Sequence, residues 1–263
     1  MGAKKRFTMF FAVIKRKSLI ITAIVLASVI ILSLLFSATG IVTVFSNKTK
    51  RQLPIYYVKT DKKQLAISFD CAWGVDYTDK LLETMKEEDI KCTFFTVEFW
   101  TTKHPEYVKK ISEAGHEIGT HSSTHPYMSK LSKDAIIREL NTSSNAIEQI
   151  TGIKPTVFRP PYGDYNDLLI NTAKELGLYT IQWDVDSLDW KDLSVKQICE
   201  RVIGRVKNGS IVLFHNQGLH TAEALPTIIS QLKGQGYEFL TIGELIYKDG
   251  YSMTADGGQV KNL

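Results

Sequence analysis

The chain has 263 residues, of which 44% are hydrophobic and 23% charged, with 17 Gly and 7 Pro. This balance is typical of an ordered globular protein and excludes wholesale disorder and collagen-like repeats. The three cysteines are too few and too far apart in the sequence for a disulfide framework. Nine of the 32 Lys and Arg lie in residues 1–53, which hold no acid, so the rest of the chain has an acidic excess. A nucleic-acid partner is therefore not expected.

The N-terminal part of the sequence predicts a membrane anchor. Residues 18–46 carry no charged side chain, and about 20 apolar residues suffice to cross a bilayer as a helix. Six basic residues precede this stretch, in a tail formed by residues 1–17. The positive-inside rule then predicts a single-pass protein of the cell membrane, with a cytoplasmic N-terminus and an extracytoplasmic main domain. A cleaved signal peptide is the alternative, but its apolar region is usually about 7–15 residues long.

The remaining sequence divides into a polar linker (47–61), a domain (62–247) and a C-terminal tail (248–263) that lacks periodicity and is expected to fray. Within the domain, short β-branched runs alternate with amphipathic stretches, which predicts βα units and a mainly parallel sheet. The predicted strands are Leu65–Phe69, Cys92–Val97, Glu117–Gly119, Thr156–Phe158, Tyr179–Trp183, Ser210–Phe214 and Glu238–Thr241. The predicted helices lie around 77–88, 105–114, 133–151, 165–176, 194–207 and 220–235. An open doubly wound sheet and a closed barrel both fit this alternation.

Polar side chains follow several of these strands directly. Asp70, Arg159 and His215 each come at the end of a predicted strand, as do His121 and His125 after another. In both α/β architectures, function gathers at the carboxyl ends of the strands. The HxxxH spacing of the two histidines can place both imidazoles on a divalent metal, although this spacing alone is a weak signal. Together these residues predict an active site.

The same residues lie within five motifs: SFD at Asp70, HSSTH, RPPYG, DSLDW and IVLFH. In order and spacing, these resemble the motifs of NodB-homology polysaccharide deacetylases, most closely the membrane-anchored, sporulation-associated members from spore-forming Gram-positive bacteria. The resemblance implies an α/β fold, a distorted (β/α)7 barrel. It also implies metal-dependent hydrolysis of N-acetyl groups from a cell-wall amino-sugar polymer, either peptidoglycan or a chitin-like glycan. Hydrolysis of acetyl esters is the nearest enzymatic alternative.

The resemblance also implies a role for each site residue. Asp70 is the general base, oriented and kept ionised by Arg159, while His215 is the general acid, held by Asp189. His121 and His125 bind one divalent metal, with zinc favoured over cobalt, manganese or nickel. The remaining residues form the oxyanion site and the substrate pocket: the backbone N–H of Tyr162, and the side chains of Trp190, Leu213, Pro160 and Pro161.

One position departs from the family pattern. The family has a second aspartate, a metal ligand, where this chain has Cys71. Cys71 could bind the metal as a thiolate, Asp76 could supply the ligand from the loop, or water could fill the position with reduced metal affinity. If Cys71 is merely a small buried residue, metal binding is lost and the domain is a glycan-binding or structural relic. A retained but altered metal site is the favoured interpretation.

Overall fold

The structure is a computed structural model that describes residues 18–34 and 51–262. It divides into two compact units, Met1–Arg51 and Gln52–Leu263. Residues 18–34 are helical. The predicted basic tail lies outside the described residues, as do residues 35–46 of the predicted anchor (18–46). Among the helices of the described ranges, none is both long and apolar enough to cross a membrane.

The second unit is an α/β domain whose strands and helices are numbered in chain order. The strands are β1 (Tyr57–Val58), β2 (Gln64–Cys71), β3 (Thr93–Thr96), β4 (Glu117–Thr120), β5 (Val157–Phe158), β6 (Tyr179–Thr180), β7 (Val185–Asp186), β8 (Ser210–His215), β9 (Glu238–Phe239), β10 (Tyr251–Met253) and β11 (Gly258–Lys261). The helices are α1 (Thr78–Glu87), α2 (Glu98–Lys103), α3 (Pro105–Glu113), α4 (Lys133–Thr151), α5 (Asp167–Glu175), α6 (Val195–Ile203), α7 (Thr221–Gly234) and α8 (Ile242–Leu245). All seven predicted strands and all six predicted helices are present, but the strand predicted to end at Trp183 ends at Thr180, and the helix predicted to end at 207 ends at Ile203.

The sheet curls into a distorted barrel. Its central order is β8-β2-β3-β4-β5-β6, and these neighbours pair in parallel. The segment before β2 lies between the two sides of this sheet, because Ile55 pairs with Ile181 after β6 while Tyr57 pairs with Ser210 of β8. The predicted (β/α)7 architecture is confirmed, and the open sheet is excluded.

Successive residues of β2 point to opposite faces of the sheet. Leu65, Ile67, Phe69 and Cys71 belong to a core cluster that also contains residues of α1 and α7. Ala66 belongs to a different cluster with residues of β3, β5 and β8. The even-numbered positions of β2 therefore face the barrel interior, and the odd-numbered positions face the surrounding helices.

Local sequence signals fix several helix ends. Helix α4 begins after Ser132, whose side chain accepts a hydrogen bond from Ala135 N, and ends at Gly152 with a φ of 72°. A capping box between Ser194 and Gln197 starts α6. Such caps satisfy backbone groups that the helix itself leaves unpaired.

The expectation of a frayed C-terminal tail is wrong. Strands β10 and β11 form an antiparallel pair, and β11 pairs in parallel with β1. Strand β1 itself lies in the segment that the sequence predicted to be a linker. These strands have two to four residues and are held by partners distant in sequence, so they leave no periodic pattern to read.

Candidate active site

The carboxyl ends of β2 and β8 place two chemically active side chains next to each other. Asp70 and His215 are paired in register on these parallel strands, whose backbones lie about 4.8 Å apart. Both side chains line a cleft with a volume of about 590 Å³. His121 and His125 line the same cleft. The structure therefore brings together four of the predicted site residues at one end of the barrel.

Asp70 forms a buried ion pair with Arg159. Its Oδ1 accepts a hydrogen bond from Arg159 Nη1 at 2.8 Å, and the guanidinium is fully buried. Burial by itself raises the pKa of Asp70, but the charge of Arg159, its hydrogen bond and the nearby imidazoles together outweigh this effect and hold the pKa below its ordinary value. The carboxylate is therefore ionised, as a general base requires.

The guanidinium of Arg159 is itself fixed by several contacts. Arg159 Nη2 donates to Ser68 Oγ at 2.8 Å and to the Gln182 carbonyl oxygen at 3.2 Å. The guanidinium carbon also lies 4.2 Å from the ring centroid of Phe95. Because these contacts immobilise Arg159, they also fix the direction of the Asp70 carboxylate.

His215 is held by a carboxylate below the cleft. Its Nδ1 lies 2.8 Å from Asp189 Oδ1, and its backbone N–H donates to Asp189 Oδ2 at 2.8 Å. Thr221 Oγ1 donates to Asp189 Oδ2 at 2.7 Å, and Asp189 is fully buried. Burial lowers the pKa of His215, but the hydrogen bond to Asp189 and the negative charges of the nearby aspartates together outweigh it and raise the pKa above the ordinary value. His215 is thus suited to act as a proton donor near neutral pH.

The two histidines of HSSTH lie on the other side of Asp70. His121 Nδ1 lies 2.7 Å from the Arg159 carbonyl oxygen, so in the neutral tautomer it donates there and leaves Nε2 unprotonated. That Nε2 lies 3.6 Å from Asp70 Oδ2. Burial lowers the pKa of both imidazoles, in the case of His125 to about 4. His125 Nδ1 is buried without a hydrogen-bond partner, so two neutral imidazole nitrogens are available to a ligand.

The third metal ligand of the family pattern is not supplied by these residues. Cys71 is fully buried in the core cluster beside Phe69, outside the cleft lining. Burial raises the pKa of its thiol well above the ordinary value, which disfavours a thiolate. Asp76 instead accepts a hydrogen bond from Gln217 Nε2 at 2.5 Å. Across residues 18–34 and 51–262, no group of three or more His, Cys, Asp or Glu is placed to hold a metal ion. Of the residues expected to bind the implied metal, only His121 and His125 are placed to do so.

Only some of the predicted pocket residues line the cleft. Trp190 and Leu213 line the cleft, as does Tyr162. Pro160 and Pro161 are buried and absent from the lining. Tyr162 has a left-handed backbone with a φ of 59°. The turn is held at the next residue, because the Gly163 carbonyl accepts a hydrogen bond from Gln182 Nε2 at 3.0 Å. The prolines therefore shape the turn that presents Tyr162 and make no direct contribution to the cleft wall.

Sequence reasoning did not assign a role to several residues at the site. Trp73 lines the cleft, is 64% exposed, and packs its ring edge-on against His125 with centroids 5.3 Å apart. Its position three residues after Asp70 was the available signal. Thr221 supports Asp189 from the first residue of α7, and no sequence feature marks that role.

The sequence of the chain is similar to those of known deacetylases. The family model for polysaccharide deacetylases matches residues 57–181. The chain is 35% identical over 194 residues to a peptidoglycan-N-acetylglucosamine deacetylase of Bacillus cereus, covering 72% of this chain and 91% of that protein. It is 37% identical to the peptidoglycan-N-acetylglucosamine deacetylase PgdA of Listeria monocytogenes, covering 76% of this chain. The chain spans only 44% of the length of PgdA.

A solved structure is also similar to this chain in sequence and fold. BA3943 of Bacillus anthracis, described as a CE4 family pseudoenzyme, is 34% identical, with a TM-score of 0.71 over 80% of this chain and 73% of that chain. A mutant of BA3943 is described as having restored enzymatic activity. On the extent of these similarities, the chain belongs to the polysaccharide deacetylase family.

Proposed function

We propose that this protein removes N-acetyl groups from amino-sugar residues of a cell-wall polymer of the peptidoglycan type. The observation that carries the proposal is the pairing of Asp70 and His215 in register at one cleft. Each has a buried partner that favours its charged form, Arg159 for Asp70 and Asp189 for His215. A site that only binds a neutral glycan has no need of both an ionised base and a protonated acid.

The chemistry follows from these two groups. Asp70 takes a proton from a water molecule as the water oxygen attacks the acetyl carbonyl carbon. The carbonyl oxygen then carries negative charge, which backbone N–H donors such as that of Tyr162 are proposed to stabilise. The imidazolium of His215 gives its proton to the amide nitrogen as the carbon–nitrogen bond breaks. The products are acetate and a free amino sugar.

Metal dependence is a separate part of the proposal. His121 and His125 are the proposed metal ligands, supported by the unpartnered Nδ1 of His125. When bound, a divalent ion polarises the acetyl carbonyl as a Lewis acid and makes a water molecule more acidic. Zinc is the ion we favour. Because Cys71 provides no third ligand, we expect weaker metal binding than a three-ligand site gives.

The location of the reaction is also proposed. The uncharged stretch 18–46 and the basic residues before it support an anchor in the cell membrane with the second unit outside. A peptidoglycan substrate is compatible with that location. A link to sporulation is supported only by the sequence resemblance.

Acetate release tests the proposal directly. The purified 263-residue chain is incubated with peptidoglycan and with chitooligosaccharides, without added metal and with zinc, cobalt, manganese or nickel. We expect acetate release that is lost in Asp70→Asn and in His215→Ala. His220→Ala is the matched control, because His220 is partly exposed and interacts with Glu223 outside the cleft lining. Absence of acetate with every substrate and metal contradicts the proposal.

The position of Cys71 favours a second candidate function. Because Cys71 lies in the core and BA3943 is described as a pseudoenzyme, the chain could bind the glycan without turning it over. In that case the wild-type chain binds the glycan but releases no acetate with any metal. Asp70→Asn then leaves glycan affinity nearly unchanged, whereas an active enzyme shows turnover that this variant abolishes.

A further inference from the structure

An aromatic run leads out of the cleft on the side of His125. The ring of His125 lies edge-on to Tyr162, with centroids 4.6 Å apart. Tyr162 in turn stacks on Tyr127 at 4.4 Å with an interplanar angle of 19°. Tyr162 is 58% exposed and Tyr127 is 50% exposed. Tyr127 lies outside the cleft lining, so the run extends the cleft across the surface.

This extension is rigid. Tyr127 directly precedes the 3-10 helix Met128–Lys130, and Tyr162 lies in the turn before Asp164. The Asp164 carboxylate accepts hydrogen bonds from both the backbone N and the Oγ of Ser129, each at 2.8 Å. Because these bonds tie the two segments together, the tyrosine pair is held in place before any ligand arrives. A preformed aromatic surface loses little conformational entropy on binding.

A cation lies at the outer end of the run. Lys130 Nζ lies 4.7 Å from the ring centroid of Tyr127, and the residue is exposed. Among the residues that the structure describes, no carboxylate forms an ion pair with Lys130. Its charge is therefore available to an anionic group of a ligand.

Within the described residues, the cleft lining offers no Lys or Arg to an anionic group. Asp186 and Asp192 line the cleft, and the Asp70 carboxylate there is already paired with the buried Arg159. Lys130 at the rim is therefore better placed than the lining residues to pair with an anionic substituent of the glycan. Lys191 also lies over an aromatic ring, that of Trp190 at 4.8 Å, and directly precedes Asp192 of the cleft lining.

We propose that Tyr127 and Lys130 form an outer sugar subsite for a carboxylate-bearing amino sugar, adjacent to the sugar held in the cleft. The tyrosine pair packs against the sugar ring, and Lys130 pairs with the carboxylate. The lactyl ether of a muramic acid residue that carries no stem peptide has this chemistry, whereas a chitin chain carries no carboxylate. The inference rests on the proposed function only in requiring that the cleft binds a glycan. It does not require turnover.

Binding measurements test the subsite. Dissociation constants of the full chain are measured by calorimetry for chitotetraose and for a peptide-free tetrasaccharide of alternating N-acetylglucosamine and N-acetylmuramic acid. We expect the wild-type chain to prefer the second ligand. Tyr127→Ala weakens binding of both ligands by about tenfold, whereas Tyr127→Phe retains most of the affinity. Lys130→Gln weakens only the muramic ligand, by about three- to fivefold, and removes the preference.

Two matched lysine variants complete the experiment. Lys191→Gln tests the other lysine near the cleft, and Lys86→Gln changes an exposed lysine in the last turn of α1. We expect both to keep the preference for the muramic ligand. Equal effects of Lys130→Gln on both ligands, loss of the preference in Lys191→Gln instead, or no glycan binding by wild type overturns the subsite. Glycan binding without acetate release contradicts only the proposed hydrolysis.

Discussion

Two adjacent residues of β2, Asp70 and Cys71, lie on opposite faces of the sheet and have different charge states. On the barrel face, Asp70 is paired with Arg159, and His215 is paired with Asp189. On the helix-facing side, Cys71 lies in a hydrophobic core only one residue further along β2. The shifted pKa values favour the ionised forms of Asp70 and His215 but the neutral form of Cys71.

Two buried groups beside β3, Cys92 and His116, also have pKa shifts that favour their neutral forms. Cys92 is buried in the helix-facing core with its pKa raised by burial, and burial lowers the pKa of His116 to about 4. Burial alone therefore does not decide whether a group is charged. Asp70 and His215 are charged because each is hydrogen-bonded to a group of opposite charge, Arg159 and Asp189 respectively, and Cys71 has no such partner among the described residues.

The largest effect is expected from removing the charge of Asp70. In Asp70→Asn, Arg159 stays fully buried without its carboxylate, which lowers the free energy of unfolding by about 3–5 kcal/mol. Asp79→Asn is the matched control, because Asp79 pairs with Lys110 at 2.9 Å on an exposed surface and such pairs contribute about 1 kcal/mol or less. Urea unfolding of both variants measures the difference. Equal losses would show that burial of the ion pair is energetically irrelevant.

Substitutions at Cys71 test the helix-facing side. Cys71→Asp places a carboxylate in the core cluster beside Phe69, so we expect a loss of about 3 kcal/mol in metal-free buffer. Cys71→Ala removes one buried sulfur and is expected to lower stability by about 1 kcal/mol. In the alanine variant, zinc affinity measured by titration stays at the wild-type value.

The effect of zinc on the stability of Cys71→Asp shows on which face of the sheet the new side chain lies. If zinc leaves the stability of Cys71→Asp unchanged, the new carboxylate stays on the core face. If zinc restores much of the lost stability, the carboxylate has reached His121 and His125, and the strict separation of the two faces is broken. Unfolding curves with and without zinc separate these outcomes.

A smaller effect is expected from pH at His116. Its pKa is about 4 in the folded protein against an ordinary value of 6.5, so below pH 6.5 the unfolded chain takes up the proton more readily. Stability is therefore lost as pH falls from 6.5 towards 4, and His116 accounts for about 2 kcal/mol of this loss at pH 5. His116→Asn is expected to reduce the difference in stability between pH 7 and pH 5 by that amount. An unchanged difference would mean that His116 is already accessible to protons.

Much of this arrangement could be predicted from the sequence. Asp70, Arg159 and His215 follow predicted strands, and the strand-end rule places them together without further information. The face of Cys71 was also readable, because the alternation along β2 puts it with Phe69 and opposite Asp70. That periodic signal was outweighed by the family motif, which suggested a metal ligand at this position.

Other features had no local signal. The contact of Thr221 with Asp189 joins residues 32 positions apart, and the pairing of β1 with β11 joins the two ends of the domain. The stacking of Tyr127 on Tyr162 depends on how two loops meet. Sequence patterns report the environment of one element at a time, so contacts between loops and between short strands escape them.

The closing segment of the barrel has a consequence for the order of folding. Tyr57 is among the first residues of the domain, yet its partners are Ser210 and Gly258. Closing so long a loop carries a large entropic cost, and contacts of this kind slow folding. During synthesis the segment has to wait for nearly the whole chain before β8 and β11 exist. The barrel is therefore sealed by its earliest-made part in one of the last steps, after the strands that carry Asp70 and His215 have been synthesised.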